Sequence, residues 1–230
     1  MQETFVISLG GSIVVPNSVD IEFLNKFRNS INSYLEGHKN ARLILVIGGG
    51  YPARSYQNCA KALVQNITNN NLDSIGIRAT WLNAELVRII FNVDENVVTN
   101  PEDANIEFKG KLLIAAGWKP GFSTDTDSVY LAKRFNAKTI INLSNTKGVF
   151  TSDPKKDKNA KFIEKISWND FLHLTGDAWD PGLNVPFDPV ASSIASKSDI
   201  SVICADGHNL SNTIAILENK EFIGTTIGNL

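Results

Sequence analysis

Short apolar runs alternate along this chain with longer stretches in which apolar residues recur at three- and four-residue spacing. Residues 4–9 (TFVISL), 42–47 (RLILVI), 112–116 (LLIAA), 138–143 (KTIINL) and 200–204 (ISVIC) form the runs. Most are continuously apolar, as expected of strands covered on both faces. Helical spacing marks residues 21–35, 55–65, 77–91, 127–135 and 188–198 between them. This order predicts an α/β fold, with a mostly parallel sheet sandwiched by helices. Residues 151–161 (TSDPKKDKNAK) are polar and proline-bearing, and predict an exposed loop over one edge.

Composition narrows the class without naming a chemistry. With 230 residues, 43% hydrophobic and 20% charged, the chain suits one α/β domain spanning residues 1–230. The net charge of −2 gives no support for a nucleic-acid partner, which favours a basic excess. No apolar run reaches the roughly 18 residues that span a bilayer, so no membrane partner is expected. Met1-Gln2-Glu3 lacks the basic start of a signal peptide, and a cytoplasmic location is the expectation. Cys59 and Cys204 are expected to be reduced, buried small hydrophobes. His38, His173 and His208 share no ligand spacing, which argues against a zinc site and a histidine triad.

Three glycine-rich turns change the picture, because each follows a predicted strand. They are Gly10-Gly11-Ser12, Gly48-Gly49-Gly50 and Gly117-Trp118-Lys119-Pro120-Gly121. Ligands of open α/β sheets bind at the carboxyl ends of strands, so three such turns can converge on one site. Glycine lets backbone N–H groups approach phosphate, although tight turns also need glycine for steric reasons alone. Neither GxxxxGK[ST] nor GxGxxG occurs, which excludes a Walker-type NTPase and a standard dinucleotide binder. After the third turn, five polar residues from Ser123 to Asp127 precede an apolar run. One hydroxyl suffices to cap a helix, and the surplus points to an anion such as phosphate at the helix N-terminus.

Taken in order, "ISLGGSIVVP", "VIGGGYPARSY", "LDSIGIRATWLNAEL", "AAGWKPGFSTDTDS", "NLSNTKGVFTSDPKKD" and "PFDPVASSIA" resemble the amino acid kinase family, most nearly its archaeal uridylate-kinase branch. The resemblance implies a three-layer α/β/α sandwich, a homo-oligomer, usually a hexamer, and phosphoryl transfer from ATP with Mg²⁺ to UMP. It also implies an acceptor half at about residues 1–135 and an ATP half at about 136–230. To ATP it assigns Ser8, Gly10, Gly11, Ser12, Gly50, Arg54, Ser144, Asn145, Lys147, Phe150 and Asp153. To UMP it assigns Gly49, Asp73, Lys119, Pro120, Gly121, Phe122, Ser123, Thr124 and Asp125. Asp125 and Asp188 fall where the family keeps two aspartates near the moving phosphoryl group. No protein ligand set for the metal is expected, the ion riding mainly on the ATP phosphates.

Simpler readings stand beside these. Arg54 can be a solvated helix charge, Asp73 the N-cap of the helix that follows it, and Phe150 a core aromatic. Asp127 has no counterpart in the resemblance and is expected to face solvent. Where many members carry lysine, this chain has Ser8 and Ser193, and Lys147 replaces an acidic residue. The cation that neutralises the moving phosphoryl group is therefore open, with Lys119, Lys147 and Arg54 as candidates. A kinase for carbamate, an amino acid or isopentenyl phosphate, and a catalytically weak nucleotide sensor, are the alternatives.

Overall fold

The computed structural model describes residues 3–154, 156–175 and 186–229. The chain runs β1 (Glu3–Leu9), α1 (Gly11–Val14), α2 (Ile21–Gly37), β2 (Ala41–Ile47), α3 (Gly50–Leu63), α4 (Asn69–Ile90) and β3 (Leu112–Ala115). It continues through α5 (Thr124–Arg134), β4 (Thr139–Ser144), β5 (Val149–Phe150), β6 (Phe162–Ile163), β7 (Lys165–Ser167) and α6 (Trp168–Thr175). The last elements are α7 (Pro189–Lys197), β8 (Ser201–Asp206), α8 (Leu210–Leu217) and β9 (Thr225–Gly228). Among the described residues the main sheet has the order β3-β2-β1-β4-β8-β9-β7. Its first five strands are parallel, and β9 lies antiparallel to β8.

Alternate side chains of each strand enter opposite cores, since successive Cβ atoms point to opposite faces. Phe5, Ile7 and Leu9 of β1 meet Phe27 and Ile31 of α2, Val87 of α4 and Ile216 of α8. Val6 of the same strand joins Val129 and Ala132 of α5, Phe171 of α6 and Ala195 of α7. Covering both faces is why the strands read as continuous apolar runs. The result is a three-layer α/β/α sandwich. Each buried Leu, Ile or Phe adds about 1.5–3 kcal/mol relative to exposure.

Sequence signals for the helix starts differ in quality. Asp20 caps α2 by accepting from Phe23 N–H at 2.9 Å, and Ser123 caps α5 by accepting from Thr126 N–H at 3.1 Å. Asp73 does not cap a helix: α4 begins earlier, with Thr68 as its cap, and Asp73 lies one turn inside. Polar Asn69, Asn70 and Asn71 hid that first turn from the periodicity. Helix α8 and strand β9 lie outside the predicted elements. Cys59 is exposed on α3, against expectation, because it sits on the face turned from the core, while Cys204 is buried.

The first two glycine turns pack against each other. A Cβ on Gly11 would stand 2.1 Å from Gly50 N, and one on Gly48 would stand 2.4 Å from Gly11 N. Gly50 in addition holds φ +64°, a left-handed conformation that favours glycine. These glycines bring the ends of β1 and β2 backbone to backbone.

Candidate active site

A cavity of about 520 Å³ opens at the carboxyl edge of the parallel strands. Its walls come from the ends of β1 (Ser8, Gly10, Gly11), β2 (Gly48, Gly49) and β4 (Asn142, Ser144), and from the first turn of α5 (Thr124, Asp125). The opposite wall is the segment 145–154, with Asn145, Phe150 and Asp153. The predicted loop 151–161 therefore contributes to the cavity with its first residues, while its residue 155 lies outside the described ones.

Asp125 occupies the floor. Its Oδ1 accepts from Ser8 Oγ at 3.0 Å, and its Oδ2 accepts from the backbone N–H of Asp188 at 3.1 Å. Asp188 is buried and caps α7, accepting from Ala191 N–H at 2.7 Å and from Thr126 Oγ1 at 3.4 Å. Two helix N-termini thus meet through two carboxylates. Burial first, and then the charge of Asp188, push the Asp125 carboxyl up to about 6, against the hydrogen bonds from Asp188 N–H and Ser8. Burial also raises Asp188, opposed by its capping bonds.

The segment 117–123 is mounted on α4. Gly121 N–H donates to Asp73 Oδ2 at 2.9 Å, Trp81 Nε1 donates to Gly117 O at 2.7 Å, and Gly117 N–H donates to Thr80 Oγ1 at 2.8 Å. Asn83 of the same helix donates to Gly48 O and Gly49 O at 2.9 and 3.0 Å. Asp73 thus shapes the loop, where the resemblance assigns it to UMP and the simpler reading makes it a helix cap.

The expected cations stand elsewhere. No lysine or arginine is among the described residues lining the cavity. Lys119 lies with Nζ 3.6 Å from the Trp118 ring centroid and 4.6 Å from that of Phe122. Lys147 lies over Phe162 and Phe150, at 4.8 and 5.5 Å. Arg54 is exposed, with one long contact of 3.5 Å to Pro16 O. Ser12, Gly50, Asp73, Pro120, Gly121, Phe122 and Ser123 also lie outside the cavity lining. Phe150 is half-buried and faces the cavity, edge-on to Phe162 with centroids 5.5 Å apart, so it is not simply a core aromatic.

Asp127 corrects the solvent-facing expectation outright. It is 0% exposed on the inner face of α5. Helical spacing places it over the sheet, a position the Ser-Thr-Asp series disguised as another polar loop residue. Sequence reasoning also missed Asn142, Thr146, Thr151 and Thr175 of the cavity wall. For Asn142 a signal existed: it is a polar residue inside an apolar run, and its Nδ2 donates to Pro186 O at 2.6 Å.

The donor set does not make a metal cage. Among the described residues no three acidic, histidine or cysteine side chains come together to hold a metal ion. Asp125 and Asp153 with several hydroxyls suit an ion that keeps its waters and arrives on phosphate, as Mg²⁺ does.

A strand-end cavity with glycine turns and a helix N-terminus defines a phosphate-handling α/β enzyme class, and the chain belongs to the amino acid kinase family. The family model matches residues 58–206. The chain is 35% identical to uridylate kinase of Thermoplasma volcanium, over 99% of this chain and 98% of that protein. It is 33% identical to uridylate kinase of Pyrococcus abyssi, over 96% and 98%. The crystal structure of uridylate kinase from Archaeoglobus fulgidus superimposes with a TM-score of 0.81 at 29% identity, covering 99% of this chain and all of that one. No helix among the described residues is long and apolar enough to cross a membrane.

Proposed function

We propose that this protein transfers the γ-phosphoryl group of ATP to UMP, giving ADP and UDP. The observation that carries the reading is the convergence of two glycine turns and the amino end of α5 on one cavity. Whole-length similarity to proteins named uridylate kinase supports the choice of acceptor. In the reaction an oxygen of the UMP phosphate attacks the γ-phosphorus, and its bond to the β–γ bridging oxygen breaks. Backbone N–H groups at Gly11 and Gly49 would line the phosphates, while that of Gly10 donates to Leu143 O at 2.9 Å. Ser123 takes the Thr126 N–H, which leaves the α5 amides at Thr124 and Asp125 for the acceptor dianion. Asp125 and Asp188 have the wrong sign to stabilise the moving group. Their work is to lock α5 and α7 together and to fix the floor.

Mg²⁺ bound to the ATP phosphates would neutralise charge there. The half at residues 136–230, with Ser144, Asn145, Phe150 and Asp153, would hold the nucleoside side of ATP. Lys119 would leave its aromatic perch to reach the transferring phosphoryl group, with Lys147 and Arg54 as rivals on the rim. A homo-oligomer, of six chains by family resemblance, fits the exposed Tyr56 and Leu63 of α3 and Leu82 and Ile89 of α4.

A coupled ADP-release assay across UMP, CMP, AMP, GMP, carbamate, aspartate and isopentenyl phosphate tests the reading. UMP should show the highest kcat/KM, and a higher value for another acceptor overturns it. One observation favours a second reading, a nucleotide sensor with weak turnover: the cavity lining lacks a cation among the described residues. Nucleotide binding with no turnover of any acceptor would install that reading.

A further inference from the structure

The strands β5 and β6 form a two-stranded sheet of their own, and β5 lines the cavity with Val149 and Phe150. A hairpin of this size is marginally stable at best unless something holds it. Here one hydroxyl of the last strand holds both of its strands. Thr225 Oγ1 accepts from Val149 N–H of β5 at 2.8 Å and donates to Ile163 O of β6. Thr225 is 0% exposed and pairs with Cys204 of β8, so the main sheet fixes the hydroxyl in place. β6 has further support, since Thr226 N–H donates to Glu164 O at 2.9 Å and β7 pairs with β9. Among the described residues β5 makes no other hydrogen bond to the main sheet.

We propose that Thr225 is a positioning residue for the donor nucleotide: its hydroxyl clamps the wall 148–153 to the sheet, and its loss weakens ATP binding while sparing the acceptor side. The inference rests on the reading of Phe150 and Asp153 as residues that hold the nucleoside side of ATP. Its selectivity follows from where the clamp bears. Val149 leads directly into Phe150, Thr151, Ser152 and Asp153, all on the cavity wall. The segment 117–123, read as the acceptor's, follows β3 and is held by α4. In the sheet β2, β1, β4 and β8 stand between β3 and β9.

Threonine suits this place for chemical reasons. A hydroxyl accepts and donates at once, which one backbone N–H and one backbone C=O together require. Room is short as well: a Cβ on Gly148 would stand 2.6 Å from Thr225 Oγ1 and 2.8 Å from the Phe162 ring. Valine has the shape of threonine but leaves the buried Val149 N–H and the Ile163 C=O without their partner. Those groups regain hydrogen bonds by opening to water, which carries β5 and Phe150 off the cavity. ATP then binds the fraction of molecules whose wall is closed, and saturating ATP draws the rest into that state.

Steady-state kinetics of Thr225→Val and Thr225→Ser beside the wild-type protein test the clamp. In Thr225→Val, KM for ATP should rise about tenfold, the result of a wall closed in about a tenth of molecules. KM for UMP should stay within about twofold, and kcat at saturating ATP within about threefold. Thr225→Ser keeps the hydroxyl and should stay within about threefold of wild type in all three. Equal rises in both KM values, a fall in kcat alone, or a serine variant that matches the valine one overturns the proposal. Hydrogen–deuterium exchange without nucleotide reads the clamp by itself. Amides of residues 146–152 should exchange faster in Thr225→Val, while those of β1 and β4 keep the wild-type rate. Unchanged exchange overturns the clamp and leaves the ATP reading of the wall standing. Faster exchange with an unchanged KM for ATP overturns the proposal through that reading. Should Thr225→Val not fold, Gly148→Ala drives a methyl against the same hydroxyl and should give the same pair of results. If wild type turns over no acceptor, the proposed function fails, and calorimetric titration with ATP and Mg²⁺ replaces KM, with the same weakening of about tenfold expected.

Discussion

The floor and the rim of the cavity are built on different principles. On the floor, Ser8, Asp125 and Asp188 sit at the ends of regular elements, and their positions follow from the sheet register and two helix caps. On the rim, Lys119 and Lys147 rest on aromatic rings and Arg54 stands in solvent. A strand end is placed by its ladder bonds and the core packed around it, whereas a long cation on a loop is placed by one or two weak contacts. An exposed cation–π contact contributes only about 0.5–1 kcal/mol, so a phosphate can outbid an aromatic ring for a lysine. The floor is preorganised, and the rim is available to move.

The comparison breaks most sharply at Asp188. Asp188→Ala should lower kcat on the order of 10²-fold with smaller changes in KM, because it removes the oxygen that caps α7 and takes the Thr126 hydroxyl of α5. Steady-state kinetics check this, and a kcat within about threefold of wild type would make the floor mere scaffolding.

The rim should respond unequally. Lys119→Met should reduce kcat at saturating ATP and UMP by roughly ten- to a hundredfold, the worth of one charge-assisted phosphate contact. Lys147→Met should cost less, and the reverse order would move the cation to the donor side. Arg54→Ala is expected to cost roughly tenfold or more if Arg54 turns to phosphate, and unchanged kinetics would leave it a surface charge.

Acid should weaken the floor before the rim. Asp125 loses its charge as pH falls through about 6, so kcat should drop about tenfold for each unit below that. Ser8→Ala removes a donor that favours the charged form, so its acid limb should move to higher pH. The phosphate of UMP titrates near pH 6 as well, but equally in both proteins, so the difference between their profiles isolates Asp125.

The smallest effect concerns stability. Asp127 holds its proton in the folded chain up to about pH 8 and loses it in the unfolded chain near about 3.9. Between those values the folded state binds more protons, so wild-type stability falls as pH rises through this window. Asp127→Asn lacks that loss. Its advantage over wild type should widen between about pH 6 and 8 by on the order of 2 kcal/mol, read at roughly 2–4 °C of Tm per kcal/mol.

Local periodicity was enough to place the five parallel strands and the sandwich, because a strand buried on both faces is apolar at nearly every position. The first two glycine turns were legible for a related reason: Gly11, Gly48 and Gly50 leave no room for a side chain where two backbones touch. Ser123 announced its helix, since a cap acts within three residues. What the linear pattern could not express was direction. Asp73 lies inside α4 and holds Gly121, 48 residues away, and Asp127, set among hydroxyls that look like a loop, turns into the core. Nor could it separate carboxylates that converge from cations that do not. Hydrogen bonds across 63 and 117 residues draw Asp125 to Asp188 and Ser8, while Lys119 settles on its own neighbours. Caps, turns and strand burial are local or periodic and so are written in the sequence, but the facing of one side chain against another depends on elements that meet only once the sheet has closed its two helical layers.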